Sequence, residues 1–547
     1  MSLSMSPLRG VWQSAGRYPR LAALLLGVLA AAGFQPLGYW PLALAAMAAF
    51  AALAAAAPDA RRAALLGWLF GFGHFTFGNN WIATAFTYQA EMPPVLGWAA
   101  VPLLSLYLAI YPALAALGAW AIAGARQRSD ERRGIGWTFA LAFAGCWTVS
   151  EMLRAAVFTG YAWNPFAVIL LGGFGRPGLA ALAPWMGTYA LSGLAVFLAA
   201  ALAVLLRERR PFPALIVAGL IAVGMILPPS APPREGSIPF TLVQPGIAQD
   251  RLDDPSYYEA NFALLAGNSM PRQAGERRVV LWPESGLADY LRPGYPQRFY
   301  DRMTAFGDPD AARRRIGRII GPGSVLLTGG VDLEIADGRA VAAYNAVTAL
   351  DAEGDILGGY AKAHLVPYGE YLPMRPLLEP IGLSRLVAGT IDFLPGPGPR
   401  TLDLGPWGKA GVQICYEIVF SGEVVDRADR PDYIYNPSND GWFGRFGPPQ
   451  HLAQARLRAI EEALPVLRST TSGISAVIDA RGAVRAWLPM HRSGRIDGVI
   501  PPAGPPTPFA RLGLLLSFAW AMVFLCAGLI ASRSSRRYLP VSDISAA

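Results

Sequence analysis

Seven long apolar runs in the first 227 residues, and an eighth near the C-terminus, constrain this chain more than any other feature. They cover Leu21–Leu37, Leu42–Ala57, Ala63–Phe86, Val95–Ala123, Trp137–Phe158, Thr188–Leu206, Pro213–Leu227 and Leu512–Ala531. Each is about long enough to cross a hydrocarbon core as an α-helix, which satisfies its own backbone hydrogen bonds. The composition agrees, with 53% hydrophobic and 15% charged residues among 547 and a mean hydropathy of +0.33. That is too apolar for an ordinary soluble protein. The small residues Ala30–Gly33 resemble a signal-cleavage site, but six further spans favour an uncleaved first helix. The alanine-rich run Ala43–Ala57 fits close helix packing in a bilayer.

Arginine placement sets the orientation. With the N-terminus inside, the inner segments carry Arg9, Arg17, Arg20, Arg61, Arg62, Arg126, Arg128, Arg132, Arg133, Arg207, Arg209, Arg210, Arg533, Arg536 and Arg537. The short outer loops carry only Arg176. This satisfies the positive-inside rule at every turn. The net charge of +8 is therefore largely topological, and nucleic acid is excluded as a partner. An odd number of spans precedes Arg234, so the stretch between the seventh and eighth helices lies outside the cytoplasm.

That stretch is bracketed by the proline-rich segments Pro228–Pro233 and Pro501–Pro506. It holds roughly 265 residues, the size of one domain. Short β-rich runs recur in it: Phe240–Val243, Val279–Trp282, Val325–Thr328, Val412–Ile414, Tyr433–Tyr435 and Ala476–Ile478. Helix-like stretches, notably Tyr257–Ala266 and His451–Leu467, separate several of them. The alternation predicts an α/β domain with strands buried on both faces. The expected organisation is a seven-helix transmembrane domain over 1–227, an extracytoplasmic α/β domain over 228–508, and a last helix with a cytoplasmic tail over 509–547.

Three stretches carry candidate chemistry. In Gly411–Glu417 (GVQICYE), Cys415 follows a buried strand at a strand-to-turn corner. A lone cysteine in an apolar run is ordinarily a small buried hydrophobe, and the nucleophile reading stands beside that one. Glu284 follows the strand Val279–Trp282, with Pro283 fixing the backbone before it. It is either a solvated loop carboxylate or a general base in an apolar neighbourhood that Trp282 supplies. Lys362 lies in Tyr360–Pro373 (YAKAHLVPYGEYLP), a rigid loop of aromatics and prolines. The chain has only two lysines, Lys362 and Lys409, so a retained ammonium calls for a task that a forked guanidinium cannot do. Stabilising a thiolate and an oxyanion is such a task, and a surface cation is the alternative.

WPES around Glu284, YAKAHLVPYGEYLP around Lys362 and GVQICYE around Cys415 resemble the three signatures of the nitrilase superfamily. A soluble nitrilase has no use for seven leading helices. With VQPGIAQ (Val243–Gln249), NPSNDGWFG (Asn436–Gly444), ARLRAIE (Ala455–Glu461), RSTTSG (Arg468–Gly473) and SEMLRAAVFTGYAWNP (Ser150–Pro165), the whole chain is similar to the bacterial apolipoprotein N-acyltransferase family. Gly246 and Ala248 depart from the family's N-terminal strand motif, and Asp250–Asp254 lacks an aromatic that some relatives place near the lipid-facing entrance. The resemblance implies an α-β-β-α nitrilase-like sandwich beside about eight transmembrane helices in the bacterial inner membrane, with the site in the periplasm. It implies Glu284 as general base, Lys362 as oxyanion stabiliser and Cys415 as nucleophile, with Glu370, Tyr416 and Glu417 in support. It further implies a phospholipid acyl donor (phosphatidylethanolamine), diacylglyceryl apolipoproteins as acceptors, a ping-pong course through a thioester, a monomer, and no metal or organic cofactor.

Other readings compete. The four histidines, His74, His364, His451 and His491, are too scattered for a metal site by spacing. A papain-like pair of Cys415 with His364 or His451 is conceivable. Glu151 and Arg154, three apart on one helix face, suggest an intramembrane ion pair. Trp442 and Phe443 suit core or loop anchors. At the level of function, a membrane-tethered amidase or nitrilase and a non-catalytic lipoprotein-binding scaffold are the rivals. Reporter fusions test the topology: those placed after Arg133 and after Pro233 are expected in opposite compartments, and a shared compartment overturns the arrangement.

Overall fold

Alanine- and leucine-rich runs with proline confined mostly to first turns fold as helices in the computed structural model of this chain. The structure describes residues 17–88, 93–127, 134–227, 236–378, 380 and 391–534. The Pro228–Pro233 segment and Arg9, Arg128, Arg132, Arg133, Arg234, Arg536 and Arg537 lie outside them. The helical part comprises α1 (Pro19–Ala31), α2 (Trp40–Ala55), α3 (Ala60–Gly78), α4 (Val95–Leu108), α5 (Ile110–Gln127), α6 (Trp137–Ala156), α7 (Ala183–Arg207) and α8 (Pro211–Ile226). Proline sits in the first turn of α1, α2, α7 and α8, where its missing N–H costs nothing. The expected span Val95–Ala123 is interrupted at Ala109 between α4 and α5, where Pro112 offers no N–H to the Leu108 carbonyl.

Among the described residues, four helices are long and apolar enough to cross a membrane: Val95–Ala123, Trp137–Thr159, Gly178–Arg207 and Leu514–Ser532. Pro19–Ala31, Trp40–Ala55 and Pro211–Ile226 are shorter apolar helices. Helix α3 has 19 residues and opens on Arg61 and Arg62, capped by Asp59. It lies so close to α1 that a Cβ at Gly27 would stand 2.0 Å from the Phe70 carbonyl oxygen. Small residues thus replace bulk at the helix–helix contacts.

Among the described residues, the α/β part contains twelve strands: β1 (Pro239–Gln244), β2 (Val279–Leu281), β3 (Val325–Ala336), β4 (Arg339–Asp351), β5 (Ile356–Ala361), β6 (Thr401–Asp403), β7 (Lys409–Val412), β8 (Tyr433–Ser438), β9 (Val466–Thr470), β10 (Ser475–Ile478), β11 (Val484–Leu488) and β12 (Gly494–Val499). They form two six-stranded sheets, in the orders β12-β1-β2-β3-β4-β5 and β11-β10-β9-β8-β7-β6. β1, β2 and β3 run parallel, as do β7, β8 and β9. Leu242, Leu281 and Leu327 share one apolar cluster with Val412, Tyr433 and Tyr435 of the other sheet. Polar bridges cross this layer as well. The Tyr435 hydroxyl donates to the carbonyls of Trp282 and Leu327, and the Ser469 hydroxyl donates to the Val243 carbonyl. On the far side of the first sheet, α9 (Tyr258–Gly267) and α10 (Pro309–Ile320) cover Val243, Val280 and Leu326.

Helix α11 (Gly447–Glu462) covers the second sheet and joins the two parts of the molecule. Its Leu452, Ala455 and Ala459 belong to the sheet cluster, whereas Ala453, Leu457 and Ile460 belong to the helical core. The sequence pattern carried this helix to Leu467, but it stops at Glu462. Ala463 turns left-handed with φ 51°, Pro465 lacks a donor, and Val466 begins β9. β3 extends eight residues past its expected end at Thr328 as one arm of a hairpin with β4. The last helix, α12 (Leu514–Ser534), packs its Phe524 with Ala144 of α6 and Ala190 of α7.

Gly329 on β3 is where the sheet presses on the segment that follows β2. A Cβ there would lie 2.3 Å from the Glu284 carbonyl oxygen and 2.5 Å from its Cα. Gly329→Ala is expected to cost about 1–3 kcal/mol by overpacking and to displace Glu284. Denaturant unfolding checks the first, and an unchanged midpoint overturns it.

Candidate active site

Strand polarity brings the three candidate stretches to one edge. Glu284 follows β2, Lys362 follows β5 and Cys415 follows β7, each at the carboxyl end of its strand. The Lys362 backbone is pinned on both sides: its N–H donates to the Asn345 carbonyl at 2.8 Å, and its carbonyl accepts from Gly396 at 2.7 Å. Its ammonium, 1% exposed, lies 2.9 Å from Glu370 Oε1 and 3.7 Å from Glu284 Oε1. Burial alone would lower its pKa. The Glu370 and Glu284 carboxylates reverse that and hold it well above the usual lysine value.

Asn345, on β4, completes this cluster. Its amide Nδ2 donates to Glu284 Oε1 at 2.7 Å and to Glu370 Oε1 at 2.8 Å. The second oxygens are also satisfied, Glu370 Oε2 by the Val366 N–H and Glu284 Oε2 by the Asn439 N–H, each at 2.7 Å. Both carboxylates are thus held by donors and a cation. Trp282 does not wall Glu284, contrary to the sequence reading. Its indole donates to Ser269 and lies in the outer cluster under α9 and α10.

Cys415 opens a short 3₁₀ turn, Cys415–Val419, with the left-handed backbone φ of 51°. That conformation is costly for a residue with a Cβ. It projects the side chain off the strand end into the cluster, as a nucleophile elbow does. Burial pushes the Cys415 thiol up, and the Glu284 carboxylate adds to this against the pull of Lys362. At rest the site therefore holds a thiol, and a thiolate forms only when its proton is taken.

Glu417 ties this turn to the Lys362 loop. Its Oε1 accepts from the Tyr360 hydroxyl and from the N–H groups of Ala363 and His364, and its Oε2 accepts from the Ile414 N–H. Burial raises its pKa to about 7, against the pull of these donors and of Lys362. Tyr416 points the other way, its hydroxyl 3.4 Å from the Gly160 carbonyl of the helical part. Of the six residues singled out from the sequence, Glu284, Lys362, Glu370, Cys415 and Glu417 come together at this edge, and the Tyr416 side chain is directed away from it.

Several neighbours escaped sequence reasoning. They are the half-buried Asn345 at the cluster and the buried Asp440 and Arg468 behind the elbow. For Asn345 the available signal was a polar residue inside the apolar run of β4. Neither histidine makes a papain-like pair. His364 stacks on Phe420 at 3.8 Å, and His451 Nε2 lies 3.0 Å from the Cys415 carbonyl oxygen, not the thiol. Glu151 and Arg154 do not form the expected ion pair. Arg154 donates to the Tyr161 and Trp163 carbonyls, and Glu151 Oε1 accepts from the Phe166 N–H and the Trp147 indole. Together they shape the loop after α6. Trp442 and Phe443 are ring contacts of Tyr88 and Trp81, consistent with anchors.

The arrangement offers a buried thiol, a carboxylate to take its proton and an ammonium for developing negative charge, the parts of covalent acyl chemistry. Residues 26–201 match the family described as apolipoprotein N-acyltransferase N-terminal domain, and residues 255–496 match the carbon-nitrogen hydrolase family. The chain is 35% identical to an apolipoprotein N-acyltransferase of Rhodopseudomonas palustris over 90% of its own length and 91% of the relative's. For those of Caulobacter vibrioides and Nitrosomonas europaea the identities are 34% and 31%, covering 93% and 95% of this chain and 94% and 99% of theirs. Among solved structures, a carbon-nitrogen hydrolase of Helicobacter pylori G27 aligns with 48% of this chain and 88% of its own at 16% identity and a TM-score of 0.34, a likeness too weak to carry an argument.

A planar guanidinium does not fit the space of a compact ammonium held between two carboxylates. Lys362→Arg is expected to fold and to lose more than about tenfold in turnover of an activated ester, roughly 1.4 kcal/mol of barrier. Retention of more than a tenth of wild-type turnover overturns the role of Lys362.

Proposed function

The chain belongs to the apolipoprotein N-acyltransferase family, and we propose that it moves an acyl chain from a phospholipid to the α-amine of an S-diacylglyceryl cysteine on apolipoproteins. The observation that carries this reading is the seating of the Cys415 elbow. It sits between the Lys362–Glu284–Glu370 cluster and the apolar helical part, where Tyr416 reaches Gly160. A nucleophile placed there meets substrates that are held in a bilayer by their own chains.

In the first half-reaction the Cys415 sulfur attacks the ester carbonyl carbon as Glu284 takes the thiol proton. A C–S bond forms, and Lys362 with the Tyr416 N–H stabilises the tetrahedral oxyanion. The C–O bond then breaks, and the departing lysophospholipid oxygen receives the proton from Glu284. In the second half the lipoprotein amine attacks the thioester carbon and gives a proton to Glu284. The C–S bond breaks, and the proton returns to sulfur. The course is ping-pong. Glu370 holds Lys362, Glu417 joins the two loops, and Tyr416 supplies the backbone donor.

The rest of the reading follows from the arginine asymmetry and the family. The donor is phosphatidylethanolamine and the protein acts as a monomer. The membrane domain spans 1–227, the periplasmic catalytic domain 228–508, and the final inner-membrane helix with its tail 509–547. No metal or organic cofactor takes part in these steps.

Incubation with labelled phospholipid, without any lipoprotein, is expected to leave a hydroxylamine-sensitive acyl label on the wild-type protein. Cys415→Ser and Glu284→Gln should carry none, while Cys146→Ala and Cys526→Ala load normally. Label that persists in Cys415→Ala, or that appears only with acceptor present, overturns the proposal.

A further inference from the structure

His451 takes no part in the steps of acyl transfer, yet it is wholly buried and bonded to the nucleophile's own backbone. Its Nε2 lies 3.0 Å from the Cys415 carbonyl oxygen. A carbonyl oxygen only accepts, so Nε2 carries the proton. Burial and the nearby Arg468 charge lower the His451 pKa to about 4, against the upward pull of Asp440 and the Cys415 carbonyl, so the ring is neutral at neutral pH. In a neutral ring protonated on Nε2, Nδ1 must accept, and Arg468 Nη2 stands 3.0 Å away to donate. Arg468 is itself held by both oxygens of Asp440 at 2.7 Å. Asp440 Oδ1 also lies 3.1 Å from Nδ1, and the Arg468 charge helps hold that carboxyl below the usual carboxylate range despite burial. The Nε2 proton and the ring orientation are thereby set, by the Cys415 carbonyl on one side and the Arg468–Asp440 pair on the other.

The consequence follows from peptide geometry. The Cys415 carbonyl and the Tyr416 N–H belong to one planar trans peptide unit and point in opposite directions. Holding the carbonyl toward α11 therefore aims the N–H away from α11. The left-handed φ of Cys415 makes this unit a strained one that needs an external hold. The same turn of α11 is anchored to the helical part: Gln450 Oε1 accepts from Trp163 Nε1 and Asn164 Nδ2, each at 2.9 Å.

We propose that His451 is a positioning residue: it fixes the Cys415–Tyr416 peptide so that the Tyr416 N–H meets the acyl oxyanion, and α11 ties that aim to the helical part. This rests on the acyl-transfer reading of Cys415. His451 touches no reacting atom.

The test uses full-length protein in detergent and a p-nitrophenyl ester, which probes the oxyanion site whatever the natural donor. His451→Ala is expected to lower kcat about a hundredfold with KM within about twofold, since the ground-state ester makes no use of the aimed N–H. Alkylation of Cys415 by iodoacetamide passes through no oxyanion, and its rate should stay within about threefold of wild type. His451→Gln, whose amide nitrogen can reach the same carbonyl, should recover most of kcat. His451→Asn, too short to reach, should not; this pair decides the matter if the Ala variant fails to fold. Equal kcat in the Gln and Asn variants at equal thermal midpoints overturns the proposal. So does a parallel fall in alkylation and ester turnover, or a His451→Ala enzyme with wild-type kcat. A wild type that turns over the ester but takes no label from phospholipid overturns the donor assignment and leaves His451 in place. A wild type inert toward the ester overturns both.

Discussion

An ammonium group with 1% of its surface exposed is tolerable only among carboxylates, and the Lys362 cluster is the constraint on which the site depends. Taking such a charge out of water costs several kcal/mol unless partners and hydrogen bonds compensate it. Glu370 and Glu284 supply the charge, and Asn345, Asn439 and Val366 satisfy their oxygens. These groups come from β4, from the loops after β2 and β5, and from the turn after β8. The two sheets must therefore pack in one relative position for the lysine to be paired. Gly329 shows how tight that position is, since no Cβ fits between β3 and Glu284.

The elbow at Cys415 is held from both sides of that packing. Glu417 spends one oxygen on the Lys362 loop and the other on Ile414 at the elbow's foot. Behind it, α11 reaches the turn through His451, and through Arg458, which donates to the Val419 carbonyl. It grips the helical part through Arg456, whose guanidinium donates to the carbonyls of Gly172, Gly173 and Arg176, and through Glu461, which accepts from the Thr188 N–H. A buried helix with this many ionic side chains is stable only because each finds a backbone group or an opposite charge. The Cys415 turn is thus fixed to the helical part by hydrogen bonds with defined directions. An apolar contact alone would leave its orientation free.

What the sequence by itself determined is the part of the structure that depends on near neighbours. Apolar runs of helical length, short β-rich runs and two motifs at strand ends were legible, because each is decided within a few residues of itself. The strand-end positions of Glu284 and Cys415 were legible for the same reason, whereas Lys362 read as a loop residue, because β5 before it exists only through its pairing with β4. Boundaries failed where a non-local partner decides them. β3 runs to Ala336 because β4 pairs with it residue by residue, and α11 gives way to β9 because β8 and β10 claim Val466–Thr470. Only the tertiary structure decided the partners of buried polar groups. Glu151 and Arg154 read as a pair on one helix face, yet each found backbone groups from a loop folded over them. Trp282 read as a neighbour of Glu284, yet its ring lies in the outer layer. Asn345 and Asn439 hold Glu284 from 61 and 155 residues away, and His451 meets Cys415 across 36. Spacing along a chain carries the side-chain periodicity of one helix or strand, but a hydrogen bond between distant residues exists only once the layers are packed and water has been excluded between them.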